Sequence, residues 1–272
     1  APSERRKTPT MTRFTPNTTA IQTRGLLAVL ATGGLIVAPG SAEPAESFNG
    51  EIAITDDAAG VDVDVNGDGI LDLNFAYYGV SVNSVFGWDA VVNESSSSAA
   101  VRFGGGIDGN GRSAHDRFNP KDIIGPAVDA GLPVGALAYG SFFDGMFGGP
   151  WLDQQPGFVG FSFLDRCGDR RYGWAEVGLD NEDDNGFGTL TLTRVGYETT
   201  IGEPIPAGVG RPASCNPADL AAPFGTLDLA DIAVFVTAFV AGETPADLAD
   251  PCGVYDLADI SAFVTPFGAG CP

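Results

Sequence analysis

The residues best suited to chemistry lie between positions 62 and 72, in Asp62-Val63-Asp64-Val65-Asn66-Gly67-Asp68-Gly69-Ile70-Leu71-Asp72. Calcium takes six to eight oxygen ligands, and Asp64, Asn66 and Asp68 alternate so that a loop bent at Gly69 converges their side chains. The Ile70 carbonyl and Asp72 extend that shell. The distal Glu of an EF-hand is missing, since Phe75 stands at the twelfth position from Asp64, so Asp62 or water must supply the remainder. Asn66-Gly67-Asp68-Gly69 is also a hairpin signal, with the acids on its solvent face. Five acidic or amide side chains in eleven residues repel one another without a cation, and this favours calcium.

Other polar groups carry less. Asp180-Asn181-Glu182-Asp183-Asp184-Asn185-Gly186 reads as a solvated hairpin tip, with a second ion site as the alternative. His115 is the only imidazole, flanked by Ser113 and Asp116 in a Gly-rich stretch that reads as a solvated loop. No Gly-x-Ser-x-Gly elbow, His-rich metal set or phosphate loop is present, and nothing singles out a carboxylate pair for glycosidase chemistry. Trp88, Trp151 and Trp174, with Tyr77, Tyr78 and Phe142-Phe143, read first as core aromatics. Trp88 and Trp151 are the candidates for stacking on a polysaccharide.

The elements that must hold these groups are strands. Val61, Val63 and Val65 alternate with Asp62 and Asp64, and Leu71, Leu73 and Phe75 with Asp72 and Asn74. Apolar segments at 158–163, 172–177 and 188–195 follow, between Gly and Asp turns. Period-two alternation without a long helix predicts a mainly β body over 48–206, an antiparallel, jelly-roll-like sandwich, followed by a linker at 207–214. The 38 Gly and 19 Pro suit short strands and turns.

Composition bounds the partners. With 35 acidic against 14 basic residues the net charge is -21, which excludes a nucleic-acid binder, whose phosphate contacts need a basic face. Met11, Arg13 and Arg24 precede the apolar stretch 25–38 and the small residues Pro39-Gly40-Ser41-Ala42, the pattern of a secretory signal peptide over 11–42. The stretch is shorter than a spanning helix needs and holds two consecutive glycines, so no membrane span is expected in the mature chain. Residues 1–10 read as upstream translation. Removing 1–42 leaves 9 basic and 34 acidic residues, a net charge of -25.

The C-terminus repeats itself. The segment 219–232, Asp-Leu-Ala-Ala-Pro-Phe-Gly-Thr-Leu-Asp-Leu-Ala-Asp-Ile, recurs at 247–260 as Asp-Leu-Ala-Asp-Pro-Cys-Gly-Val-Tyr-Asp-Leu-Ala-Asp-Ile. Each copy runs into an apolar stretch, and Leu229, Ile232, Phe235, Val236 and Phe239 fall on one helical face. Two loop-helix units should pack those faces together. Cys215 and Cys271 bracket the pair, and export predicts their disulfide. Closing a loop of about 57 residues is worth about 4 kcal/mol on the chain-entropy model. Cys167, beside Arg166, Asp169 and Arg170, is either a reactive thiol or, after export, the partner of Cys252.

Residues 215–272 resemble the dockerin family, most closely its variant ending in Gly-Cys-Pro, here Gly270-Cys271-Pro272. Spacing, the duplicated Asp-Leu-Ala-Asp-Ile and the framing cysteines carry the likeness. Dockerins are docking modules built from paired EF-hand-like calcium loops, so the resemblance implies a protein partner. This chain departs from the calcium pattern: counted back from Gly225 and Gly253, the upstream ligand positions hold Leu220, Ala222 and Phe224, then Leu248, Asp250 and Cys252. Asp228 and Asp256 stand where an N-cap belongs, with Asp231 and Asp259 three residues on. For the first loop capping is favoured over calcium at Asp228 and Asp231. In the second, capping and calcium at Asp250, Asp256 and Asp259 stay open. Separately, the run from Gly157 through Tyr172-Gly173-Trp174 to Pro204 resembles the C-terminal part of a β-sandwich domain found in exported, surface-sorted bacterial proteins.

The expected protein is therefore secreted or cell-surface and non-catalytic, a calcium-supported sandwich docked through its tail. The alternative is a carbohydrate-binding module, or less readily a polysaccharide-degrading enzyme, carried by the same tail.

Overall fold

A computed structural model describes residues 44–55, 60–82, 85–95, 100–141, 146–180, 188–211 and 214–271, with backbone alone at 79–82, 85–88 and 141. The segment 11–42 expected to be a signal peptide, the acidic run at 181–186 expected to be a hairpin tip, Phe142-Phe143 and the side chain of Trp88 lie outside the described residues. In chain order the strands are β1 (Ala45–Thr55), β2 (Val61–Val63), β3 (Leu73–Val82), β4 (Val85–Glu94), β5 (Arg102–Phe103), β6 (Gly105–Ile107), β7 (Ser113–His115) and β8 (Arg117–Phe118). They continue as β9 (Ile123–Ile124), β10 (Val134–Ser141), β11 (Met146–Gly148), β12 (Gly157–Leu164), β13 (Arg170–Asp180), β14 (Thr189–Tyr197) and β15 (Ile205–Pro206). Helices α1 (Leu229–Ala241) and α2 (Leu257–Ala269) follow.

The chain is mainly β and its sheets are antiparallel except at one pair. One sheet runs β1-β14-β13-β12-β5, with β8 also on β12; the other runs β2-β3-β4-β10-β7-β6, with β11 also on β10. The exception is β7 against β10, parallel through Ala136 and Ala114. Ile54, Phe161, Val177, Leu190 and Leu192 of the first sheet meet Leu73, Phe75, Tyr77, Val92 and Leu137 of the second in one buried cluster. Each such side chain contributes about 1.5–3 kcal/mol of burial.

β12 reads as a continuous apolar run because both its faces are covered. Val159, Phe161 and Phe163 enter the main cluster, while Phe158 joins Trp174, Ile124, Val128 and Ile205 on the opposite face. The body extends beyond the expected 48–206. β1 begins at Ala45, paired with Tyr197. Of the expected linker, Ala207 bonds to Asp122 and Lys121, Val209 accepts from Trp174 Nε1, and Arg211 bonds to Pro44 and Glu46. These three residues close the body, because their backbone groups find partners in it.

The tail has its own core. Phe235 and Phe263, 28 residues apart and equivalent in the repeat, stack with ring centroids 4.2 Å apart. Ala218, Ala238 and Ala246 complete the buried cluster, with Ile232, Phe239, Ile260 and Phe267 packed on it. The cysteines form two disulfides, Cys215 with Cys271 across the tail and Cys167 with Cys252 between body and tail.

Candidate functional site

The pairing of Val63 with Leu73 makes residues 64–72 the loop of the β2-β3 hairpin. Asp64 organises it: Oδ1 accepts the N–H groups of Gly67 at 2.8 Å and Asp68 at 3.2 Å, and Oδ2 that of Gly69 at 2.8 Å. Gly67 and Gly69 hold φ of 76° and 87°, a conformation that favours glycine and curls the chain around the carboxylate. Asn66 donates to Asp68 Oδ2 at 2.9 Å, and Asp68 Oδ1 accepts from Ile70 N at 2.9 Å. Asp72 closes the loop from the far side by accepting from Val65 N at 2.9 Å.

The expected ligand set is therefore gathered in part. Asp64, Asn66, Asp68 and Asp72 share one loop, and Ile70 enters its bonding through its N–H. Asp62 is engaged elsewhere, its Oδ1 accepting from Asn74 Nδ2 at 3.0 Å and Ser95 Oγ at 3.2 Å. Asp72 is buried, and its pKa is pushed up to about 7 by loss of solvent, with the charges of Asp68, Asp64 and Asp165 adding to the rise and the Val65 N–H opposing it. A carboxylate so destabilised in its charged form is one whose ionisation a cation would favour.

Asp165 belongs to the neighbouring β12-β13 turn, which sequence reasoning did not connect to the loop. Its Oδ1 accepts from Cys167 N and Asp169 N, and its Oδ2 from Arg171 Nε at 2.8 Å. The turn meets the loop where Arg166 N donates to Asp68 Oδ2 at 2.9 Å. The Arg166 guanidinium then donates to the carbonyls of Asp247 and Leu248 in the second tail loop and lies 3.6 Å from the Asp247 carboxylate.

In the tail, Asp228 and Asp256 are N-caps, donating partners being Ala230 N and Ala258 N, and each forms a reciprocal capping box with Asp231 or Asp259. The buried Asp231 does more. Its Oδ1 accepts from Leu220 N at 2.7 Å and Ala221 N at 2.8 Å, and its Oδ2 from Asp228 N at 2.8 Å. Asp259 repeats this with Leu248 N, Ala249 N and Asp256 N. Burial raises the Asp259 pKa, but these three N–H groups and the nearby Arg166 hold it below the ordinary range. Three N–H dipoles turned toward one carboxylate make an anion site, so a carboxylate centres each loop where an EF-hand would centre a cation. Asp250, the other candidate ligand, lies on the exposed side of the second loop, its Oδ1 3.9 Å from Cys252 Sγ.

Asp219 and Asp247, the first residues of the two repeats, were passed over in the sequence. Asp219 Oδ2 accepts from Cys215 N and Gly225 N, and Asp247 Oδ2 from Gly253 N. Each carboxylate lies within 4.8 Å of both sulfurs of one disulfide. Their place at the head of a 28-residue repeat was the available signal.

Trp151 is corrected as a stacking candidate. It is fully buried in the main core with Nε1 donating to the Val177 carbonyl, because the segment after β11 folds back over β10. A shallow cleft of 550 Å³ lined by residues including Gly105, Ile107, Asp108, Asp116 and Gly149 has no tryptophan in its described lining. His115 is corrected as well: it lies in β7, buried, with Nε2 2.7 Å from the Val92 carbonyl and its ring 4.6 Å from that of Phe103. Burial pushes its pKa down to about 4, against the pull of that carbonyl. It makes no Ser-His-Asp array, since its one hydrogen bond goes to backbone and Nδ1 has none.

Compared with known proteins, the chain matches no family model, no curated protein and no solved structure.

Proposed function

We propose that the chain is an exported, non-catalytic protein, a calcium-supported β-sandwich presented through a dockerin-like tail that docks on a protein partner. One observation carries this reading. Leu229, Val236 and Val240 of α1, at intervals of seven and four, lie on one helix face and are 80%, 51% and 81% exposed. Leu257 and Val264 occupy the equivalent positions of α2 and are 77% and 57% exposed. Ile232, Phe235 and Phe239 of the expected packing face enter the Phe235-Phe263 core, whereas Leu229 and Val236, expected with them, do not, so these residues form a second, matched stripe with no intramolecular role in the tail core. Exposed apolar residues clustered this way suit a protein interface.

Calcium is proposed at the 64–72 loop, held by Asp64, Asn66, Asp68 and Asp72 with the Ile70 carbonyl, where it would supply countercharge to three clustered acids. Asp62, already bonded to Asn74 and Ser95, serves the strand pair. For the tail the carboxylate-centred loops support folding without calcium.

The test is capture of surface proteins by the full chain and by a variant carrying Leu229→Asp and Leu257→Asp. A partner retained by the first and lost by the second is expected. Equal retention by both overturns docking through this stripe.

A further inference from the structure

We infer that Arg166 and Cys167 form a redox-releasable clasp that holds the C-terminal module against the β body. Body and tail have separate cores, and the tail core is built from tail residues alone. The tail also carries its own staple, Cys215 with Cys271. Its fold is thus specified without the body, and its position needs a separate device.

That device is the tip of the β12-β13 hairpin. Cys167 is bonded to Cys252, 85 residues away in the second tail loop. The adjoining Arg166 donates to the Asp247 and Leu248 carbonyls of the same loop, while its backbone N–H is fixed to Asp68. Asp165 bonds the turn's own N–H groups and Arg171, so both residues project from a braced turn. At the equivalent place in the first repeat stands Phe224, whose ring lies 3.8 Å below the guanidinium of Arg211 from the body. The body therefore meets both repeats at the same loop position, covalently at only one. Neither Cys167 nor Cys252 is buried, so a small thiol can reach them.

Release is thiol-disulfide exchange. A thiolate of a small dithiol attacks one sulfur and the Cys167-Cys252 bond breaks, its other sulfur leaving as thiolate and taking a proton. The dithiol's second thiol then displaces the mixed disulfide, leaving two cysteine thiols and an oxidised dithiol. Cys167 Sγ lies 4.0 Å from Asp247 Oδ2, and Asp247 Oδ1 accepts no hydrogen bond among the described residues, so the freed S–H has an acceptor beside it. The module then keeps the part-buried Arg166 contacts and the Arg211-Phe224 contact but loses its covalent tie to the body.

The test is the full chain with Cys167→Ser and Cys252→Ser together, which leaves the tail staple intact. X-ray scattering should show a larger maximum dimension, and proteolysis at the junction between Arg211 and Cys215 should accelerate about tenfold or more, as local opening does. Helical circular dichroism should be unchanged. Unchanged dimension and cleavage would overturn the clasp. Should the double variant not fold, graded dithiothreitol on the native protein, with alkylation mapping, serves instead. Molecules alkylated at Cys167 and Cys252 but not at Cys215 and Cys271 must show the fast cleavage, and slow cleavage in that population overturns the proposal.

Discussion

The backbone N–H of Arg166 donates to Asp68 Oδ2 at 2.9 Å, which joins the hairpin loops of the two sheets at one end of the body. The acidic loop is thus buttressed from outside its own hairpin, and its three acids, Asp64, Asp68 and Asp72, are held together at a cost in like-charge repulsion. Calcium should relieve it. Chelator is expected to lower the melting temperature, and calcium at about a hundredfold over its dissociation constant to restore about 2.7 kcal/mol. Asp64→Ala with Asp68→Ala should abolish the calcium response. Differential scanning calorimetry with and without calcium checks both.

The tail should behave oppositely. Asp231→Ala and Asp259→Ala each strand three backbone N–H groups in a buried place, so each should cost about 3 kcal/mol or more. Asp228→Ala, which removes only a cap, should cost about 1 kcal/mol. Urea unfolding followed by helical circular dichroism distinguishes them. Calcium should not rescue any of the three.

His115 makes stability depend on pH. Its folded pKa of about 4 lies below the ordinary value near 6.5, so between these values the unfolded chain binds a proton that the folded chain does not. The His115 contribution is fully present above pH 6.5 and is lost as pH falls toward 4, by about 3 kcal/mol. Asp72, with its raised pKa, slopes the other way over nearly the same range. The comparison must therefore be with His115→Phe, whose stability relative to the native chain should improve steadily from pH 6.5 to 4. A constant difference would contradict the assignment.

The tail was the most legible part of the sequence because a 28-residue duplication and a 3.6-residue period coincide there, and its cap positions follow directly. The 64–72 loop was legible for a similar reason, since its chemistry is local. What could not be read is what distant segments bring. Arg166 meets Asp68 only because the hairpins of two sheets end side by side, and Cys167 meets Cys252 through that same turn. His115 was read as solvated because β5 to β9 are two or three residues long, too short to show alternation. Trp151, first read as core, stayed a stacking candidate because nothing in the residues near it reveals that the segment packs on β10.

The exposed stripe of α1 and α2 is proposed as the docking surface. Its most direct measurement is the dissociation constant of a partner captured by the full chain, compared between the native protein and the variant with Leu229→Asp and Leu257→Asp. Loss of an apolar anchor worth about 2 kcal/mol or more should weaken binding by about thirtyfold or more, with the fold and melting temperature of the body unchanged. Equal affinity for native protein and variant would contradict the account.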